Sequence, residues 1–226
     1  MIQQADTHRL IPSKYTPRGD SVLARLADDD AHLSDVFDLD SATNDRLLAE
    51  HGAGLILGIS AEELVVAVPR YRVINAAFCH PHPLGSRFNG PERGAWYAAY
   101  NIETSQAEVV YHKTVALAEI GWFEDSVTYD DYLADFAGDF HDIRVDAAFS
   151  ACLAPDSYVA SQRLAEALLA AGSLGVLYPS VRRPGGTNLA CFRPAVVANV
   201  RQGATYRITW SGSPDPTVAV EGPTGS

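Results

Sequence analysis

An α+β domain built on a bent or split mixed sheet with flanking helices is the fold class this sequence predicts, on three observations. Strand-like and helix-like stretches follow one another without the regular βαβ alternation of a doubly wound sheet. The glycines at Gly85, Gly90 and Gly94 lack the G-x-G-x-x-G spacing, and Gly185-Gly186 lacks the lysine of a phosphate-binding loop, so no dinucleotide-binding fingerprint argues for the alternative. A length of 226 residues, 47% hydrophobic and 20% charged, suits one domain with a substantial core.

Taken in order, Ser21–Asp29 and Ser41–Gly52 have the pattern of short polar-faced helices, the second closed by Gly52, and residues 1–58 are read as an N-terminal helical extension. Glu63–Ile74 is rich in β-branched residues and predicts a strand interrupted by Pro69, with Arg72 near its end. Asn75–Arg93 contains Pro81, Pro83, Gly85, Gly90 and Pro91. It predicts a long loop, and loops of that length in compact domains usually serve function. Gly94–Tyr100 predicts a buried strand, and Ser105–Glu119 a helix with Ala107, Tyr111, Thr114 and Ala118 at helical spacing. Phe140–Phe149 alternates Ile143, Val145, Ala147 and Phe149 as a half-buried strand does. Ser161–Gly172 has a serine cap, an apolar stripe and a terminal glycine. Gly175–Tyr178, Cys191–Val200 and Thr205–Trp210 supply further strands of a domain spanning residues 59–210, and the Pro/Gly/Ser-rich residues 211–226 predict a disordered tail.

Composition narrows the function. No run of eighteen apolar residues and no charged-then-apolar leader at Met1–Asp20 is present, so a soluble cytoplasmic protein without a membrane partner is expected. Three cysteines, Cys79, Cys152 and Cys191, argue against a disulfide framework and for buried structural thiols. With 17 basic and 28 acidic residues the net charge is −11, which repels a polyanionic backbone and makes direct nucleic-acid binding unexpected. A small anion is not excluded, because a few arginines can reverse the field inside a cleft. Cys79-His80-Pro81-His82 is half a metal site with no second cluster to complete it, so no metal is expected, and Asp130-Asp131 is read as a solvated face.

Three segments resemble the RES family: Tyr71–Val73 (YRV), Gly85–Val110 (GSRFNGPERGAWYAAYNIETSQAEVV) and Val176–Phe192 (VLYPSVRRPGGTNLACF). The family pattern has an arginine ending an early strand, a G-G-R-W-N-like loop, a tyrosine opening Y-T-A-E, a helix glutamate eleven or twelve residues later and a serine near the end. These fall on Arg72, Arg87, Tyr97, Glu108 and Ser180, with departures at Ser86, at Phe88, which keeps an aromatic platform, and at Ala98-Ala99-Tyr100. The resemblance implies an ADP-ribosyltransferase-like fold and a toxin that breaks the nicotinamide–ribose bond of NAD by phosphorolysis or hydrolysis. NAD is then the substrate, inorganic phosphate a co-substrate, and no cofactor is needed. It also implies an Xre-like helix-turn-helix antitoxin as partner and a homo-oligomer.

Under that resemblance Arg72, Glu108 and Ser180 are the catalytic candidates and Arg87, Tyr97 and Asn188 the substrate-binding ones. Arg72 and Arg87 present planar forks suited to phosphate oxygens, though surface ion pairing explains an arginine equally well. Tyr97 can lay its ring on the nicotinamide or ribose and aim its hydroxyl at a ribose oxygen, or pack in the core. Glu108 can stabilise a developing ribose cation. Its rival role is specific, because Ser105-Gln106-Ala107-Glu108 matches the S-x-x-E capping box. Ser180 is a hydroxyl near Arg182-Arg183 that can hold a phosphate, or a plain turn serine, and Asn188 would support the same wall. ADP-ribosyl transfer onto a protein, and a catalytically silent partner-binding protein, remain as alternatives.

Overall fold

Residues 1–16 and 58–221 are described by a computed structural model. The elements in chain order are β1 (Ile2–Pro12), α1 (Tyr71–Cys79), β2 (Trp96–Ala99), α2 (Ile102–Ile120), β3 (Glu124–Gly138), β4 (His141–Asp142), α3 (Val159–Ala170), β5 (Gly175–Pro179), β6 (Thr187–Cys191), β7 (Ala198–Ser211) and β8 (Thr217–Val220), with short 3-10 turns between. The strands form one mixed sheet in the order β4-β5-β6-β2-β1-β3-β7-β8. Only β4–β5 is parallel among the described pairs. The fold class is therefore α+β, as the sequence predicts.

The sheet is split at its middle. β1 follows β3 from Ile2↔Gly138 to Pro12↔Tyr129, whereas β1 meets β2 at the single pair His8↔Ala99. Two half-sheets thus diverge from one bridge. Their register decides which residues share a face. His8 opposite Ala99, and Ala99 opposite Asn188, which lies opposite Tyr178, set His8, Leu10, Tyr97, Ala99, Asn188 and Tyr178 on one side. α3 covers this side over one half, packing on Val176, Tyr178 and Ala190. α2 covers it over the other, where Leu117 meets Leu10, Ile208 and Trp210. α1 lies on the opposite face, its Val73, Ile74 and Phe78 joining Trp96, Leu177, Leu189 and Phe136 in the largest apolar cluster.

α2 is fixed at both ends. Asn101 caps it by accepting from the Thr104 amide at 3.0 Å, and Gly121, at φ 65°, closes it in the left-handed region that glycine adopts without penalty. The predicted capping box at Ser105–Glu108 does not form, because the true cap lies four residues earlier and places Glu108 in the second turn.

Several sequence expectations are corrected. Ile2–Pro12 is a central strand rather than part of a helical extension. It is polar in composition, and its place comes from being paired on both edges with Thr7 and Leu10 buried. The helices expected at 21–29 and 41–52 lie outside the described residues. Tyr71–Cys79 is helical instead of extended: Val73, Ile74, Ala77 and Phe78 make one apolar helix face, which outweighs β-branched propensity. Phe140–Phe149 pairs only at His141–Asp142 before turning into a 3-10 segment. Cys191 ends one strand, and a Pro194–Val196 turn separates it from β7. Ser161 sits inside α3, bonding back to the Tyr158 carbonyl at 3.0 Å. The expected tail begins with ordered chain, since β8 pairs along β7 from Tyr206↔Val220 to Thr209↔Thr217. β3 itself escapes a period-two reading because bulges near Asp130–Tyr132 and Leu133–Asp135 break the alternation. Asp130 and Asp131 are buried, not solvated.

Candidate active site

Where the half-sheets part, a cavity of about 630 Å³ opens between α2, the start of α3 and the loop after α1, within the range of small-molecule sites. Glu108 and His112, one turn apart on α2, line the helix side. His8, Tyr97, Asn188 and Tyr178 line the sheet side, and Arg87 and Tyr158 the third.

Glu108 is the most constrained group. Its Oε1 accepts from Ser180 Oγ at 2.8 Å and from Asn188 Nδ2 at 2.7 Å. Ser180 Oγ in turn accepts from the backbone amides of Arg182 at 3.2 Å and Arg183 at 3.0 Å, so the serine's turn geometry is what aims its hydroxyl at the carboxylate. Two neutral donors on one oxygen fix the plane of the carboxylate and bring no counter-charge to it. Glu108, Ser180 and Asn188 are thus brought together from three different elements.

Arg87 also belongs to the site. Its Nη1 donates to the carbonyls of Cys152 at 3.1 Å and Ala154 at 2.8 Å, and its guanidinium stacks 4.7 Å from the Tyr158 ring. These bonds pin the cation with no carboxylate partner among the described residues, which leaves its charge for an anion.

Tyr97 lines the cavity with its ring, but its hydroxyl is engaged elsewhere. It accepts from the Phe88 amide at 2.8 Å and donates to Asn89 Oδ1 at 2.8 Å. Burial pushes this phenol well above its ordinary range. Both bonds tie the hydroxyl to the loop at Phe88 and Asn89. Gln162 completes that clasp, its Nε2 donating to the carbonyls of Leu84, Ser86 and Asn89 at 3.1–3.2 Å. Gly85, at φ 70°, permits the turn: a Cβ there would come within 2.3 Å of the Asn89 carbonyl. Phe88 is core, packed 4.6 Å from Tyr178, not a platform for a ligand.

Arg72 is not in the site. It projects from α1 as an exposed side chain whose Nε donates to the neighbouring Tyr71 hydroxyl at 3.2 Å. The strand arginine at the cavity is Arg9 on β1. Its Nη1 donates to the Tyr97 carbonyl at 3.1 Å across the gap where β1 and β2 fail to pair, and its guanidinium lies 5.0 Å from the Trp96 ring centroid. Burial lowers its pKa to about 10, so it stays charged at neutral pH. Sequence reasoning missed Arg9, His8 and His112, all of which line the cavity. An arginine near an early strand was the available signal, and the polar sequence around Arg9 hid the strand. His112 is pulled below its ordinary 6.5 by burial, against the opposing pull of Glu108, which favours a neutral imidazole.

Among the described residues no group of three His, Cys, Asp or Glu side chains could hold a metal ion, and no helix is long and apolar enough to cross a membrane. Cys152 and Cys191 are free thiols, and burial pushes the Cys191 thiol up to about 12. No curated protein matches the chain. Among solved structures it is similar to the M. tuberculosis MbcT–MbcA toxin–antitoxin complex, at 18% identity over 60% of this chain and 75% of that chain, with a TM-score of 0.44. The family model of the RES domain matches residues 64–211, which include α1, Glu108, Ser180 and Asn188, and the chain belongs to the RES domain family.

Proposed function

We propose that this protein cleaves the nicotinamide–ribose bond of NAD, passing the ADP-ribosyl group to water or inorganic phosphate. The observation that carries the reading is the Glu108 carboxylate, held by Ser180 and Asn188 at the wall of a cavity with two arginines uncommitted to any carboxylate among the described residues. Nicotinamide leaves as a neutral base with the electron pair of the C1′–N bond, and positive charge grows on the ribose. An oriented carboxylate binds that charge more tightly in the transition state than in the ground state, where the ribose is not yet cationic. Arg9 and Arg87 give the diphosphate a cationic seat inside a protein that is acidic overall. Arg9 thereby takes the place that the family resemblance assigns to an early-strand arginine. The same resemblance carries a toxin role, with a helix-turn-helix antitoxin covering the cleft.

Incubation of the pure protein with NAD, with and without inorganic phosphate, tests the reading. Free nicotinamide is expected in both or in the phosphate arm alone, with ADP-ribose or its 1″-phosphate as the second product. Label from NAD appearing on protein instead would assign ADP-ribosyl transfer, and no nicotinamide in either arm would overturn the enzyme reading.

A further inference from the structure

His8 lines the sheet wall of the cavity, and its Nδ1 lies 2.7 Å from Asp131 Oδ2 on β3. The two are brought together by register, since Leu10 pairs with Asp131 and His8 projects on the same face two residues away. Asp131 is almost wholly buried, with 4% of its side chain exposed, whereas His8 keeps 21%. Its other oxygen, Oδ1, has no hydrogen-bond partner among the described residues. A buried carboxylate is costly unless paired. Here the carboxylate is sealed in and the imidazole faces the cavity, the arrangement that orients a histidine for proton transfer.

We propose that His8, oriented by Asp131, is the base that activates the acceptor in the cleavage reaction. The inference rests on the NAD reading above and deepens it. Asp131 takes the Nδ1 proton as a hydrogen bond and so fixes the tautomer with Nε2 unprotonated. Nε2 removes the proton from the attacking hydroxyl of water or hydrogen phosphate as its oxygen bonds to ribose C1′. The C1′–N bond breaks with its electron pair on nicotinamide, and the imidazolium then returns its proton to solvent. Glu108 acts from the helix wall on the ribose cation while His8 acts from the sheet wall on the nucleophile. Charge stabilisation and nucleophile activation are divided between the two half-sites.

The test is nicotinamide release by His8→Asn and Asp131→Asn, with and without azide. Asn at position 8 can still donate to Asp131, so the wall is preserved while the base is gone. Release is expected to fall about 100-fold in His8→Asn at unchanged NAD binding. Azide, which attacks without giving up a proton, should restore it and yield ADP-ribosyl azide, and wild-type turnover should not respond to azide. Asp131→Asn, with the tautomer no longer fixed, should lose part of the rate and be rescued likewise. Undiminished release from His8→Asn, a loss that azide does not relieve, or a collapse of both variants' unfolding temperatures would each overturn the dyad while leaving NAD cleavage by the wild type in place. Failure of the wild type to release nicotinamide would overturn the NAD reading and this proposal together.

Discussion

Glu108 and glutamine differ at the site by charge alone, because glutamine's carbonyl can still accept from Ser180 and Asn188. Glu108→Gln should therefore keep its unfolding temperature and bind NAD, yet lose on the order of 10²–10³ in kcat, the cost of removing one well-placed electrostatic group. Nicotinamide release and a thermal melt on the same sample check both halves. The arginines separate just as cleanly. Arg72→Ala removes an exposed side chain bonded only to its neighbour and should leave stability within about 0.5 kcal/mol and activity unchanged. Arg9→Met fills the same volume between the half-sheets without the charge and should raise KM for NAD at least tenfold, read from initial rates. An active Arg9→Met paired with an inactive Arg72→Ala would reverse the assignment. Glu108 was legible as a candidate only through the family resemblance, whose pattern puts a glutamate eleven residues after Tyr97. What holds its carboxylate in place is where Ser180 and Asn188 lie, over 70 residues away in sequence, a long-range fact that no local pattern encodes.

The elements were legible wherever a local signal was undisturbed. β2, β5 and α3 have clean apolar runs or stripes, and these and α2 were predicted to within a few residues, although α2 packs through Ile102, Val109, Val110 and Leu117 rather than the face read from the sequence. β1 and β3 were not, the first because burial by two partners replaces an apolar sequence, the second because two bulges shift its phase. The loop after α1 is anchored at its far end by an ion cluster that depends equally on distant contacts. Arg93, 9% exposed, donates to Glu63 Oε1 at 3.0 Å and Oε2 at 2.9 Å and to the Phe192 carbonyl at 2.7 Å, and Arg193 reaches the same Oε2 at 3.0 Å. The Arg93 hydrogen bonds hold the Glu63 carboxyl below its ordinary 4.5. Its folded pKa lies below the unfolded one, so its stabilisation is complete above about pH 4.5 and is lost as pH falls through the folded value. Glu63→Gln leaves a buried guanidinium without its counter-charge and should cost about 2–3 kcal/mol, less than a fully sealed pair because Glu63 keeps 29% exposure. Denaturant melts from pH 3 to 7 should show the difference from wild type shrink towards the acid end. A constant difference would place the cost elsewhere.

At the scale of the molecule, the residues matched to the family begin at 64, whereas the sheet begins at Ile2. A chain trimmed to residues 64–211 keeps Glu108, Ser180 and Asn188 but loses β1, and with it Arg9 and His8. Such a chain should aggregate on expression, and a soluble, active product would show β1 to be dispensable. Adding a synthetic peptide of residues 1–16 should recover some soluble protein, measured by sedimentation.

The first strand of the chain lies in the centre of the sheet, and this bears on how the protein is made. The ribosome releases β1 before either of its neighbours, since β2 and β3 emerge only after some 80 to 130 further residues. Until then β1 has no ladder to join, and once β3 appears without it, two unsatisfied strand edges face each other across an empty slot. The cavity cannot exist before this late insertion, because the same strand that closes the sheet carries His8, Arg9 and Leu10, which line it.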